Sequence, residues 1–123
     1  MSTFSEVYLP VTTTGSAGSA TGSKVSGVIN GLIYSIYVKY HASAPSSTDV
    51  TIAETNGATR TFLTLTNVNT SGTKPAYAAV VDATGTALSS YVAPALAGRT
   101  VTVSVAGADA LTNAVEVYLY VLE

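Results

Sequence analysis

The sequence predicts an all-β protein folded as a single antiparallel β-sandwich or jelly roll. Apolar and polar residues alternate with a period of two through most of the chain, which is typical of half-buried strands. A helical period of 3.6 residues is almost absent. Turn residues recur at regular spacing, so that about seven short strands follow one another, as in sandwiches and jelly rolls.

The first predicted strand covers Phe4–Val11, with its even-numbered residues on one face and its odd-numbered residues on the other. Pro10 has no N–H to donate to a ladder, which predicts an edge position. Residues 12–23 contain no bulky apolar side chain, so ordering them would gain little burial to offset the lost entropy. We therefore expect residues 1–23 to form an edge strand and a flexible N-terminal arm, and residues 24–123 to form the sandwich domain.

The longest strand signal covers residues 25–41, with a bulge or bend expected at Gly27 and at Gly31. Alternation predicts a core face and a mixed, partly covered face on this strand. The predicted core face carries Leu32, Tyr34, Ile36, Val38 and Tyr40, and the other face carries Ile33, Ser35, Tyr37, Lys39 and His41.

The middle of the chain predicts a hairpin followed by less regular structure. Asn56 and Gly57 favour a type I′ turn between a strand containing Val50 and Ile52 and a strand over residues 59–68. Residues 76–83 are predicted to form a short strand. Residues 84–98 are predicted to be irregular, with one helical turn at residues 87–91 that Pro94 keeps short.

The last third has the clearest alternation in the chain. Residues 99–106 are predicted to turn Val101, Val103 and Val105 inward. The final strand is predicted to have an inner face of Val115, Val117, Leu119 and Val121 and an outer face of Glu116, Tyr118, Tyr120 and Leu122. This outer face is unusually apolar for a surface that meets only water.

Composition argues against several classes of function. Only five Lys and Arg residues are present, they are scattered, and the net charge is −2, so nucleic-acid binding is not expected. No apolar run approaches the ~18 residues that a membrane span requires. The N-terminus has no signal-peptide pattern, so secretion by a cleaved signal is not expected, although a chain trimmed of its signal would look the same.

The chain also offers few residues for catalysis or metal binding. His41 is the single histidine, and a triad would need Asp49 or Asp82 to orient it, but no Gly-x-Ser-x-Gly elbow surrounds a serine. Zinc would need at least two His or Cys ligands, and the carboxylates are too dispersed for a calcium loop. We therefore expect no enzyme, no metal and no cofactor.

Aromatic residues are the candidate binding residues. Tyr37, Tyr118 and Tyr120 fall on faces opposite the predicted core, and exposed tyrosine is frequent both in protein interfaces and on sugar-binding platforms. Phe4 and Tyr8 belong to the N-terminal arm, which could pair with a neighbouring subunit by strand addition. An equally weighted alternative is that the tyrosines simply cover the second sheet of the sandwich.

Five stretches of the chain, at residues 28–40, 48–52, 62–69, 97–107 and 115–119, together resemble small virion proteins encoded among tailed-bacteriophage head genes. They read VINGLIYSIYVKY, TDVTI, FLTLTNVN, AGRTVTVSVAG and VEVYL. The resemblance spans residues 24–122 and consists of alternation patterns with a few fixed polar positions.

The resemblance implies a β-sandwich that decorates, or cements, the capsid. It would be assembled in the host cytoplasm, lie on the virion surface and bind the major capsid protein, as a homo-oligomer such as a dimer or trimer. Less often such proteins form a head fibre or tail component. The alternative function, motivated by the tyrosines, is a carbohydrate- or receptor-binding β-sandwich.

Overall fold

A computed structural model describes residues 3–76, 78–81 and 83–123, with the backbone alone for residues 78–81 and 87–91. These residues form eleven strands and no helix. The strands are β1 Phe4–Val11, β2 Ala20–Val25, β3 Ile29–Tyr40, β4 Asp49–Glu54, β5 Thr61–Leu65, β6 Gly72–Lys74, β7 Ala78–Val81, β8 Ala87–Val92, β9 Ala95–Arg99, β10 Val101–Ala108 and β11 Val115–Leu122.

The strands form two antiparallel sheets packed face to face, which confirms the predicted β-sandwich. Sheet I has the order β1-β11-β3-β6, with β9 also paired to β3, and sheet II has the order β2-β10-β4-β5. Strands β7 and β8 pair with each other as a separate hairpin. The core between the sheets is built from the buried faces of the long strands, which contribute Ile36, Val38, Val115, Val117, Leu119 and Val121 from sheet I and Val50, Ile52, Val101, Val103 and Val105 from sheet II.

Several predicted strand faces are confirmed. On β11, and on β10 from Val101 to Val105, every second residue is buried, because alternation sends one set of side chains to the core and the other to the surface. The two inner side chains Val50 and Ile52 of β4 are also buried. Strand β1 pairs only with β11 and therefore lies at the edge of sheet I, as Pro10 predicted.

The structure corrects the expectation of a flexible N-terminal arm. Residues 20–25 form β2, which pairs with β10, and Ala20 is fully buried. Thr13 is buried too; its hydroxyl donates to the Asp109 carbonyl and accepts from the Leu111 N–H. Backbone pairing and polar contacts order this segment instead of bulky apolar side chains. Its small residues allow this close packing, since a Cβ on Gly22 would collide with the Thr12 carbonyl.

The long predicted strand over residues 25–41 is instead two strands in different sheets. β2 ends at Val25 in sheet II and β3 begins at Ile29 in sheet I, so Gly27 lies in the crossover between the sheets. Gly31, the other expected irregularity, has a φ of +131° and lies against the Leu122 carbonyl, where no side chain fits.

A β-bulge in β3 corrects the predicted core positions of Leu32 and Tyr34. Tyr120 of β11 pairs with Ser35 and the next residue, Val121, pairs with Ile33, so Tyr34 is an additional residue without a partner on β11. The extra residue reverses the alternation: Ile33 is fully buried, whereas Tyr34 is 64% exposed and Leu32 38% exposed. Beyond the bulge, Ile36, Val38 and Tyr40 are buried as predicted.

The hairpin between β4 and β5 forms, but the predicted type I′ turn is wrong. That turn needs positive φ at both central residues, and Gly57 has a φ of +71° while Asn56 is not in the positive region. The loop covers residues 55–60, with Thr59 at a φ of +51°. The buried Glu54 carboxylate closes it by accepting from the Arg60 backbone N–H at 3.0 Å and from Arg60 Nε at 2.6 Å. This ion pair holds the pKa of Glu54 below its usual value.

Residues 84–98 also differ from the prediction. They contain β8 and β9 in place of an irregular segment with a helical turn at residues 87–91, and Pro94 separates the two strands. Small Ala and Ser residues make the alternation here too weak to reveal a strand. In the strand predicted over residues 76–83, Tyr77 and Asp82 lie outside the described residues, and β7 covers Ala78–Val81.

The bulge can be tested by truncating Ile33 and Tyr34 in turn. Uninterrupted alternation would bury Tyr34, whereas the bulge buries Ile33. We expect Ile33→Ala to lower the free energy of unfolding by about 2–5 kcal/mol, because it empties a fully buried position. Tyr34→Ala should change it by only about 1 kcal/mol, because that ring is mostly in solvent and loses little beyond its edge-to-face contact with Phe4. Urea unfolding of both variants measures the difference; the reverse ranking would place Tyr34 in the core and contradict the bulge.

Candidate functional site

The candidate functional site is the outer face of sheet I, on the side of the sheet opposite sheet II. Strand β11 lies between β1 and β3, and paired residues of antiparallel strands point to the same face. The outward side chains therefore stand in rows across three strands. The rows are Pro10, Glu116 and Lys39; Tyr8, Tyr118 and Tyr37; Glu6, Tyr120 and Ser35; and Phe4, Leu122 and Leu32.

Three tyrosines form the second of these rows, which we call the tyrosine row: Tyr8 on β1, Tyr118 on β11 and Tyr37 on β3. The ring centroids of Tyr8 and Tyr118 are 5.0 Å apart with their planes tilted by 40°. Those of Tyr118 and Tyr37 are 6.1 Å apart at 61°. Tyr118 therefore contacts a ring on each side, and the tilts make the row uneven instead of flat.

A short polar network borders the tyrosine row. The Tyr8 hydroxyl donates to Glu116 Oε1 at 2.7 Å, and Lys39 Nζ lies 3.7 Å from Glu116 Oε2. The Lys39 side chain is 57% exposed and that of Glu116 only 17%. The hydrogen bond to Glu116 raises the pKa of Tyr8 to about 12. Desolvation, followed by the charge of Glu6, raises the pKa of Tyr120. Both phenols therefore remain protonated donors at neutral pH.

Beside this network the surface forms an open depression of about 370 Å³, lined by Tyr37, Lys39, Tyr118 and Tyr120. Three aromatic side chains and one ammonium group thus surround a volume in the range of small-molecule sites, about 300–1,000 Å³. Its walls stand on the paired strands β3 and β11 and not on loops. The lining is therefore held in place by the sheet.

The other end of the face carries four residues that we call the apolar end: Phe4, Leu32, Tyr34 and Leu122. Phe4 is 61% exposed, and its ring meets that of Tyr34 edge to face, with centroids 5.4 Å apart. The bulge in β3 turns Tyr34 outward to make this contact, which bridges from β1 to β3 across β11. Bulges often re-aim a side chain at functional positions.

All five residues predicted for partner binding, Phe4, Tyr8, Tyr37, Tyr118 and Tyr120, lie on this one face. The interpretation that the tyrosines cover the second sheet is wrong, because sheet II packs against the opposite face of sheet I. The sequence did not identify Tyr34 and Leu32 as surface residues. Gly31 was an available signal, because a bulge or bend was expected there. The sequence did not show, however, that a bulge would reverse which of the following residues face the core.

Of the residues considered for catalysis, His41 and Asp49 each bind a different backbone N–H group. The His41 Nδ1 accepts a hydrogen bond from the Ser43 N–H at 3.0 Å in an exposed loop, and Asp49 accepts from the Asn67 N–H at 2.8 Å. Asp82 lies outside the described residues. Within the part of the chain that the structure describes, no group of three or more His, Asp and Glu side chains is placed to hold a metal ion.

Comparison with known proteins gives no relative for this chain: no family model, no curated protein and no solved structure matches it. Among the described residues, no helix is long and apolar enough to cross a membrane.

The polar network predicts a measurable difference between tyrosines. In ring-carbon NMR spectra followed from neutral to alkaline pH, Tyr8 should titrate near pH 12, because ionisation would place a phenolate beside the Glu116 carboxylate. In Glu116→Gln the pKa of Tyr8 should fall toward 10, the ordinary value for tyrosine. An unchanged pKa in that variant would contradict the network.

Proposed function

We propose that this protein is a non-enzymatic structural protein of a phage particle, specifically a capsid decoration protein that binds the major capsid protein and stabilises the head. It would be assembled in the host cytoplasm, act on the virion surface and work as a dimer or trimer. The resemblance of residues 24–122 to small virion proteins supports this function. The structural observation that carries it is the apolar end, an uncharged aromatic surface turned into solvent.

The apolar end has the composition of a protein-binding surface. Phe4 and Tyr34 are the two most exposed aromatic side chains described, at 61% and 64%. A ring of this size buries about 150–250 Å² when covered, so each leaves on the order of 100 Å² for a partner. With Leu32 and Leu122 added, the patch reaches a few hundred Å², a size that on soluble proteins often marks an interaction site.

The scarcity of charge favours the same function. The chain has only five Lys and Arg and seven Asp and Glu residues, so a partner can approach closely without desolvating many ions. The outer face of sheet II is also mostly uncharged, with a row of four hydroxyl side chains from Ser23, Ser104, Thr51 and Thr64 across its four strands.

Mass action gives such binding its effect on the particle. A protein that binds the assembled shell, and not its separated subunits, stabilises the shell by RT ln(1 + [L]/Kd) per site, where [L] is the free concentration of that protein and Kd its dissociation constant for the shell. Contacts that span neighbouring capsid subunits would have this property. No chemical step is required of the protein, which agrees with its small number of ionisable side chains.

Association with expanded phage heads tests this function. We expect the wild-type protein to co-sediment with heads and to raise their thermal disruption temperature. The double variant Phe4→Ser, Tyr34→Ser should bind at least about tenfold more weakly, because aromatic anchors dominate the binding energy of such interfaces. Both positions are exposed, so the fold should survive the change.

A matched control is Val25→Ser, which removes an exposed apolar side chain, 48% accessible, from sheet II. It should bind heads as the wild type does. Failure of the wild-type protein to associate with heads would refute the decoration function. Equal weakening by the control and the double variant would refute the apolar end as the contact surface.

A further inference from the structure

We infer that the depression beside the tyrosine row is a binding site for a neutral saccharide, with one pyranose ring lying on Tyr118 and its hydroxyl groups bound by Lys39 and Glu116. This site is separate from the apolar end. It adds a ligand-binding activity that capsid decoration alone does not require.

The shape of the depression suits one sugar ring. Its volume of about 370 Å³ is at the small end of the range for ligand sites. Tyr118 and Tyr120 line it from β11 and Tyr37 and Lys39 line it from β3, with the Tyr37 ring inclined to that of Tyr118 by 61°. Because the inclined rings make the surface uneven, it accommodates a single sugar ring better than the flat face of an extended fibre.

The aromatic lining matches the apolar face of a pyranose. The C–H groups on one side of the sugar ring carry slight positive charge, and the face of a tyrosine ring is negative. Stacking therefore places the sugar over a ring while its hydroxyl groups point outward around the edge. Protein groups that bind these hydroxyls must lie at the rim of the aromatic surface.

Lys39 and Glu116 supply such groups. The Lys39 ammonium has three donors, and its separation of 3.7 Å from Glu116 Oε2 is longer than a hydrogen bond. The Glu116 carboxylate accepts one bond from Tyr8 at Oε1 and, with about four acceptor positions, has capacity for another donor. An ammonium donor and a carboxylate acceptor side by side can bind two adjacent hydroxyl groups of one sugar.

The charge around the depression selects a neutral ligand. Lys39 lines the depression, but Glu116 lies 3.7 Å from its ammonium group and Glu6 stands beside Tyr120, so the outer face around the depression carries one more negative than positive charge. A sugar carrying a carboxylate, phosphate or sulfate would meet repulsion from the two glutamates. The proton of the Tyr8 hydroxyl is already donated to Glu116, so among the two phenols only that of Tyr120, which lines the depression, adds a polar group without charge.

The polar rim also distinguishes this site from a protein interface. At the apolar end, the side chains offer ring and methyl surface, and the Tyr34 hydroxyl is the one polar side-chain group among the four residues. At the depression, aromatic surface and hydrogen-bonding groups lie in neighbouring rows, with Lys39 in the lining and Glu116 3.7 Å from its ammonium group. Saccharide recognition needs that combination, because a sugar ring is apolar on its faces and polar at its edge.

The site can be tested with the purified protein alone, which keeps the result independent of capsid binding. A panel of neutral oligosaccharides, built from glucose, galactose, mannose and N-acetylglucosamine, would be titrated against the protein, with uronic-acid and sialylated oligosaccharides as the charged comparison. The chain has no tryptophan, so its tyrosine fluorescence and the NMR shifts of Tyr118 report binding directly.

At least one neutral oligosaccharide should bind, and Tyr118→Ala should weaken that binding by about tenfold or more. Tyr118→Phe keeps the ring and should remain within about threefold of the wild type. Lys39→Ala changes an exposed side chain and should also weaken binding, which keeps the test valid if Tyr118→Ala unfolds. Tyr34→Ala, a tyrosine of the same face outside the depression, is the matched control and should bind normally.

Absence of binding by every neutral oligosaccharide at about 10 mM, near the weakest affinity of practical use, would overturn the inference. Preferential binding of the charged oligosaccharides, or undiminished binding by Tyr118→Ala and Lys39→Ala, would overturn it as well. If no oligosaccharide binds and Tyr118→Ala also fails to associate with heads, the tyrosine row belongs to the protein interface instead.

Discussion

The register of β11 between β1 and β3 is the constraint on which the rest of the structure depends. Each of its eight residues has a partner on both neighbouring strands, and its inner side chains from Val115 to Val121 are essentially fully buried. A slip of one residue would turn these apolar side chains outward and bury Tyr118 and Tyr120. The same pairing that fills the core therefore sets the tyrosines in one outward row and places Glu116 between Tyr8 and Lys39.

Strict alternation made part of this structure predictable from the sequence. β11 alternates without a break, β10 does so from Val101 to Val105, and Pro10 marks β1 as an edge strand, so their faces follow from local rules. The ordering of residues 12–23 was not predictable, because it depends on pairing with β10 and on the buried Thr13 and not on apolar side chains. The bulge at Tyr34 was not predictable either, since the extra residue is visible only against the register of β11.

The candidate site, too, was predictable in part from the sequence and in part not. Alternation predicted that Tyr37, Tyr118 and Tyr120 point away from the core, but alternation fixes faces and not strand neighbours. Only the order β1-β11-β3 brings Tyr8 beside Tyr118 and gives the face two different ends. One end is aromatic and uncharged, which suits a protein surface. The other joins rings to a carboxylate and an ammonium group, which suits a saccharide.

The central claim is that the outer face of sheet I, and not that of sheet II, is the binding surface of this protein. Hydroxyl-radical footprinting on isolated protein and on protein bound to phage heads, with mass-spectrometric readout, tests it most directly. Phe4 and Tyr34 should lose most of their oxidation on heads, while Val25 on sheet II should be oxidised equally in both states. Protection of Val25 with unchanged oxidation of Phe4 and Tyr34 would contradict the claim.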